Sequence, residues 1–217
     1  MAFRLDHVFV LTDAHDAAVE RLSDAGFTIA GQRDHPGQGT ANRCVFFENG
    51  YLEFLWVADR DEVTAPMTRP TELDERSRWR ETAASPFGIA LRVDPSAGDA
   101  VPFPYVPYRP AYLPEPAAIL LADEPAARGA PLVFVVPPDL AAHGSGPNHA
   151  CGAQAVSNVR LAATVTPSVS PALTMLAQHK FCQIEVASAP HLHIELDQGR
   201  QGLSIDLGPD TPLSIAW

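Results

Sequence analysis

Apolar positions recur along the chain in two different periods. From Leu5 to Leu11 they are dense and rich in Val and Phe, which predicts a strand. Side chains alternate with period two in such a strand, so Leu5, His7, Phe9 and Leu11 share one face. Ala14, Ala18, Val19 and Leu22 then take up the wider spacing of a helix. Thr12 and Asp13 are candidate caps, Asp13 with Asp16 resembling a capping box, and Gly26 is the stop. Phe27 to Ala30 starts a second strand, and the stretch RDHPGQGTAN reads as a turn-rich loop. Cys44 to Phe47 is a third strand, Glu48-Asn49-Gly50 a tight turn and Tyr51 to Val57 a fourth strand. Strand, helix, strand, strand, strand follow one another within residues 1–58.

Residues 59–85 change character. Acids and bases mix there, and the pattern predicts a solvated helix from Thr71 to Thr82 with Thr71 as its cap. A second unit over 86–137 opens with a strand from Phe87 to Val93. Seven prolines between residues 95 and 116 exclude a long helix or a central strand there. Ile119 to Leu121 and Leu132 to Val136 are further strands. Residues 138–217 form a third βαβββ-like unit. It has a long strand from Ala155 to Val165, a helix from Ser170 and Pro171 through His179, and strands at Gln183–Val186, Leu192–Leu196 and Leu203–Leu207. The expected fold is α+β, with repeated βαβββ units forming curled mixed sheets around a cleft, the middle unit having lost its helix to the prolines.

Composition narrows the function. The chain has 217 residues, 46% of them hydrophobic, long enough for a substantial core without disulfides. Its formal net charge of -11 would repel nucleic acid and anionic lipid alike. No long apolar run marks a signal peptide or a membrane span. Cys44, Cys151 and Cys182 are too few and too scattered for a disulfide framework and fit a reducing compartment, so a cytoplasmic protein is expected.

The sharpest candidate chemistry is a pair. His7 and Glu53 each interrupt an apolar strand, and a carboxylate between Leu52 and Phe54 either faces water or needs a partner. If the two strands are neighbours, the pair offers a nitrogen and an oxygen to one divalent ion, Mn, Fe, Ni or Zn. Otherwise they are a histidine on a wet face and a glutamate guarding a sheet edge. Gly37 and Gly39 let backbone approach a ligand or turn sharply, with His35 and Asn42 beside them as polar contacts. His149 and Cys151 share another glycine-bearing loop. His191, His193 and Glu195 alternate along one strand face, as a second metal site or as a solvated face. His15, His143 and His179 face solvent.

His7 in LDHVFV, His35-Pro36-Gly37, Gly39-Thr40-Ala41-Asn42 and Tyr51-Leu52-Glu53 together resemble the glyoxalase-like domain family of the vicinal oxygen chelate superfamily. The resemblance is strongest over residues 5–57 and weakens toward the C-terminus. It implies a sheet curled around a pocket, and a metal held by a histidine from the first strand and a glutamate from the last strand of each unit. His7 and Glu53 fit that role. The matching positions fall near Gly88 and Phe134 in the second unit and near Asn158 and Ser204 in the third, so a second pair is missing. His149, His35 or Glu195 could complete a shell. Glu53 and His35 are the candidate catalytic residues, and Asn42, Thr40, Gly39, Tyr51 and His149 the candidate substrate contacts. Three readings remain. One is a lyase, isomerase or dioxygenase, metal-assisted, acting on a small oxygenated substrate. The second is a metal-free enzyme or small-molecule binding protein using the same cleft. The third is a scaffold whose sheets serve mainly dimerisation. A homodimer is compatible with all three.

Overall fold

The computed structural model describes residues 3–93, 101–124, 129–137, 148–164, 166 and 170–217. The strand carrying His7, β1 (Phe3–Leu11), is central. It runs parallel to β4 (Gly50–Val57) and antiparallel to β5 (Phe87–Val93). With β2 (Arg33–His35), β3 (Thr40–Phe47), β6 (Tyr105–Tyr108), β7 (Ile119–Ala122) and β8 (Leu132–Val136) it builds an eight-stranded sheet in the order β2-β3-β4-β1-β5-β8-β7-β6. The order is symmetric about the β1–β5 contact: β1 lies parallel to β4, as β5 lies parallel to β8. Two units therefore meet back to back, forming the curled mixed sheet of the expected α+β fold.

Period-two alternation gives this sheet two different faces. Val8, Val10, Leu52, Phe54, Ile89, Leu91, Val133 and Val135 point to the back. There they join one core with α1 (His15–Asp24) and the C-terminal segment. That segment contributes β9 (Val156–Ala163), α5 (Pro171–Gln178), β10 (Gln183–Val186), β11 (His191–Leu196), β12 (Ser204–Asp206) and β13 (Leu213–Ala216). Val159, Leu161, Leu192, Ile194, Leu213 and Ile215 cover the back of the first sheet, and Leu173 and Leu176 of α5 fill the layer between. Each such side chain stabilises the fold by about 1.5–3 kcal/mol relative to exposure. The front face stays free for a cleft.

The second sheet is not wired like the first. Its order is β10-β9-β11-β13-β12, and β9 lies parallel to β10, the strand straight after the helix, and antiparallel to β11. In the first sheet the opening strand of each unit instead lies parallel to the unit's last strand. Asn158 and Ser204 consequently stand on a separate layer, where Asn158 faces Glu195.

Local expectations change at several points. Phe27–Ala30 is not a strand; the second strand lies inside the supposed loop, where Arg33–His35 forms a hairpin with Thr40–Asn42. Helix α1 begins at His15, and neither Thr12 nor Asp13 caps it by a side chain in the expected way, although Thr12 Oγ1 accepts from the Ala14 amide. The supposed helix over 71–82 is broken into a 3-10 turn (Arg69–Thr71), α3 (Leu73–Ser77) and α4 (Trp79–Thr82), following α2 (Arg60–Val63). Left-handed backbone at Glu72 and Ala83 ends those turns, because fixed contacts outweigh helix propensity. β6 escapes the proline argument because it is an edge strand, where Pro107 needs no ladder partner. Residues 94–100, His143 and Val165 lie outside the described residues. Ser170 does cap α5, accepting from the Leu173 amide, with Pro171 in the first turn. No helix among the described residues is long and apolar enough to cross a membrane.

The β2–β3 hairpin is clamped to α2. Glu62 Oε2 accepts from the Gly37 amide at 2.7 Å and the Gly39 amide at 3.1 Å. Gly39 has φ +75, and a Cβ there would lie 2.4 Å from the Asp59 carbonyl oxygen. Gly39→Ala is expected to destabilise the protein by more than about 1 kcal/mol in urea unfolding. Gly31→Ala, with nothing within 4 Å, serves as the neutral control.

Candidate functional site

The front face encloses a cleft of about 730 Å³, counting its open mouth. Its two walls differ because the two units differ. From the first unit come Arg33 and His35 on β2, Asn42 on β3, Tyr51 and Glu53 on β4 and His7 on β1. From the second come Tyr108, Ile119, Leu121, Leu132, Phe134 and Val136. One wall is polar and the other apolar, with Thr71, Leu73 and Tyr112 closing the rim.

His7 and Glu53 do meet. His7 Nε2 stands 3.5 Å from Glu53 Oε2, and both residues are under a tenth exposed. Asn42 donates to the other Glu53 oxygen and fixes the carboxylate. The imidazole stacks on Tyr51, ring centres 4.2 Å apart, and meets Phe134 edge-on at 5.4 Å. Behind it, Nδ1 is 2.7 Å from Asp6 Oδ1, and Asp6 Oδ2 accepts from Arg92 Nε at 2.6 Å.

A contact between consecutive side chains of a strand is unusual, because they normally point to opposite faces. Here the β1–β5 register slips between Leu5 and His7, leaving Asp6 as an extra residue. Such bulges re-aim side chains beside functional sites. Burial opposes the Asp6 charge, but His7 and Arg92 outweigh it and hold its pKa down to about 2. Asp6 is therefore ionised and can only accept. Nδ1 of His7 carries the hydrogen, and in the neutral ring the lone pair on Nε2 faces Glu53. The 3.5 Å gap between that lone pair and the carboxylate is a place for one proton.

A second network lies beside the first. Tyr108 and Tyr112 both donate to Gln38 Oε1, at 3.2 and 3.0 Å. Gln38 Nε2 donates to Thr40 Oγ1 at 2.8 Å, and His35 Nδ1 lies 3.0 Å from the same hydroxyl. This uses both lone pairs of the Gln38 carbonyl and one of its two N–H groups, leaving one donor for a ligand. Burial lowers the His35 pKa, which Glu53 partly offsets. Burial drives the Tyr108 and Tyr112 hydroxyls well above their ordinary range, so they remain donors.

The other residues singled out in the sequence take different places. His35, Asn42 and Tyr51 line the cleft. Thr40 and Gly39 do not: Thr40 orients Gln38 and His35, and the Gly39 amide is spent on Glu62. His149 stands apart, Nδ1 accepting from the Thr28 amide and Nε2 bonded to the Phe46 carbonyl, so both ring nitrogens hold chain segments together. His191 and His193 sit on the second sheet and share the Ser214 hydroxyl, while Glu195 takes Ser157. None of these three reaches the cleft. Asp6, Arg92, Gln38, Tyr112 and Arg33 were not anticipated. The one hint was the charged residue immediately before His7 in an apolar strand.

The donor set does not fit the metal that the resemblance implies. The register shows what replaces the second pair. His7 lies opposite Ala90 and Phe9 opposite Gly88, while Phe9 pairs with Glu53 and Ala90 with Phe134. Exchanging the two units therefore carries His7 onto Gly88 and Glu53 onto Phe134. The Phe9 ring covers Gly88 so closely that a Cβ there would lie 2.0 Å from it. The second half-site is packed hydrocarbon. Among the described residues no three His, Cys, Asp or Glu side chains gather as ligands, and His35 is turned to Thr40 by its Nδ1. Two donors remain where a resident ion needs three or more.

Two back-to-back units curled around one cleft, with the His7 and Glu53 couple on the first and fourth strands, define a fold of the vicinal oxygen chelate kind. Residues 5–101, which span the first unit, the connector and β5, match the model of the family described as a glyoxalase-like domain. A hypothetical protein from Staphylococcus aureus has the same fold at 9% identity, TM-score 0.56, with 99% of each chain covered. A hypothetical protein from Bacillus halodurans superposes at TM-score 0.43 and 16% identity, covering 66% of this chain and all of that one. Methylmalonyl-CoA epimerase from Mycobacterium tuberculosis does so at 0.39 and 17%, covering 61% and 86%. No curated protein matches the chain.

Proposed function

We propose that this glyoxalase-like protein is an enzyme that moves a proton at a carbon next to a carbonyl group in a small, largely apolar molecule, without a resident metal. The observation that carries the reading is the buried row Arg92–Asp6–His7–Glu53–Asn42 where the polar and apolar walls meet. His7 Nε2 accepts the proton, the C–H electron pair moves into the carbonyl to give an enolate, and the proton returns to carbon from the same couple. Asp6 keeps the hydrogen on Nδ1, so that Nε2 is the base. The free Gln38 N–H is the donor for the developing enolate oxygen. Phe134, Leu132 and Leu121 hold the apolar body and keep water from the base.

The test is deuterium exchange followed by proton NMR, with 4-oxo-4-phenylbutanoate and 2-oxo-4-phenylbutanoate in heavy water as carbon acids. Protein-dependent exchange next to the ketone that survives EDTA is the expected result. Exchange that EDTA abolishes and Mn, Fe, Ni or Zn restores would return the metal-assisted reading. No exchange with either ketone would leave the cleft as a binding site only.

A further inference from the structure

Among the described residues, Arg33 is the one fixed cation lining the cleft. It shares the front face of β2 with His35 and pairs in register with Asn42, two strands from Glu53. In a chain with a net charge of -11 it makes no ion pair among the described residues. Its nearest acid in sequence, Asp34, alternates to the other face and accepts from Gln32. Its charge is nevertheless felt inside the site. Burial pushes the Cys44 thiol and the Tyr112 hydroxyl up, and Arg33 pulls both back; it also adds to the effect of burial in lowering His35. The ribbon that carries it is held in place, since Glu62 clamps the hairpin through Gly37 and Gly39.

An exposed guanidinium beside acidic groups usually finds one of them. This one lines a cleft whose one carboxylate among the described residues, Glu53, is already engaged by Asn42 and His7. A guanidinium fork matches a carboxylate in two parallel hydrogen bonds. We infer that the cleft takes amphipathic carboxylic acids, the carboxylate held by Arg33 at the mouth and the hydrocarbon body lying on Phe134, Leu132 and Leu121. The inference rests on the proposed use of the cleft and adds its substrate class. 4-Oxo-4-phenylbutanoate, which carries a carboxylate, a ketone and a phenyl group, is a probe of that class.

The experiment compares binding of 4-oxo-4-phenylbutanoate and its uncharged methyl ester by calorimetry. The wild-type protein is expected to bind the acid at least about tenfold more tightly than the ester, in line with one charge-assisted bidentate contact. Arg33→Gln is expected to remove that preference with ester binding unchanged, and Arg33→Lys to keep part of it. Equal binding of acid and ester, no binding of the acid, or a preference that persists in Arg33→Gln would each overturn the inference. The outcome separates from that of the proposed reaction. His7→Asn should lose exchange but keep the acid preference, and an acid preference without any exchange would remove the reaction and leave the recognition standing.

Discussion

His7→Asn is expected to reduce deuterium exchange by about 10²- to 10⁴-fold, the range contributed by a positioned general base. Asparagine is the informative replacement. Its side-chain NH₂ occupies the place of Nδ1 and keeps the bond to Asp6, while the Nε2 lone pair and the ring contacts with Tyr51 and Phe134 are lost. The thermal unfolding temperature should fall with the lost ring contacts, and the loss of exchange should fall on the rate rather than on binding of 4-oxo-4-phenylbutanoate. Asp6→Asn acts through His7 instead of touching the substrate. It frees the ring to hold its hydrogen on either nitrogen, so it should lower exchange less than His7→Asn does and also move the pH profile. If His7→Asn exchanged as fast as the wild type while Glu53→Gln did not, Glu53 would be the base and His7 its partner.

The polar wall was largely legible in the sequence, and the reason is local. His7 and Glu53 each break an apolar alternation, and alternation alone decides which face a side chain takes once strand neighbours are known. The resemblance to glyoxalase-like domains supplied the neighbours. What periodicity could not reveal is the bulge at Asp6. A one-residue slip leaves no trace in the apolar pattern, yet it turns Asp6 from the wrong face onto His7. Arg92 was hidden for a similar reason: it reads as the polar end of a strand and becomes a buried ion only because β5 pairs with β1. The hairpin of Arg33–His35 reads as a loop in the sequence because Pro36, Gly37 and Gly39 crowd its turn. His149 shows the opposite error, a chemically suggestive residue whose two nitrogens are both consumed by backbone.

The asymmetry between the units carries a further physical point. A repeated fold offers two equivalent front faces, and this chain has made one hydrophilic and the other hydrophobic at matching positions. Gly88 stands where His7 does and Phe134 where Glu53 does, so the second unit has a packing surface at the positions of that couple. Phe9 then seals Gly88, so restoring a histidine there would require the ring to leave. The cleft is a junction between a polar edge and a hydrocarbon bed.

Arg92→Met is expected to cost about 3–5 kcal/mol of stability at neutral pH, because it leaves the Asp6 carboxylate buried without its guanidinium partner. Both side chains are about 5% exposed, so water cannot replace the lost partner cheaply. The double change Asp6→Asn with Arg92→Met should recover a large part of the loss, since it removes the stranded charge as well. The sign of the pH dependence follows from Asp6. Its pKa falls from an ordinary 3.8 to about 2 on folding, so the associated stability is complete above the unfolded value and is lost as pH falls through the folded one. That component is about 2 kcal/mol. In Arg92→Met the opposing effect of burial gains weight, the folded pKa rises, and the acid transition in urea unfolding should move to higher pH. A cost below about 1 kcal/mol, or an acid transition that stays where it is, would mean that His7 alone holds Asp6 ionised and that Arg92 has no part in setting the base.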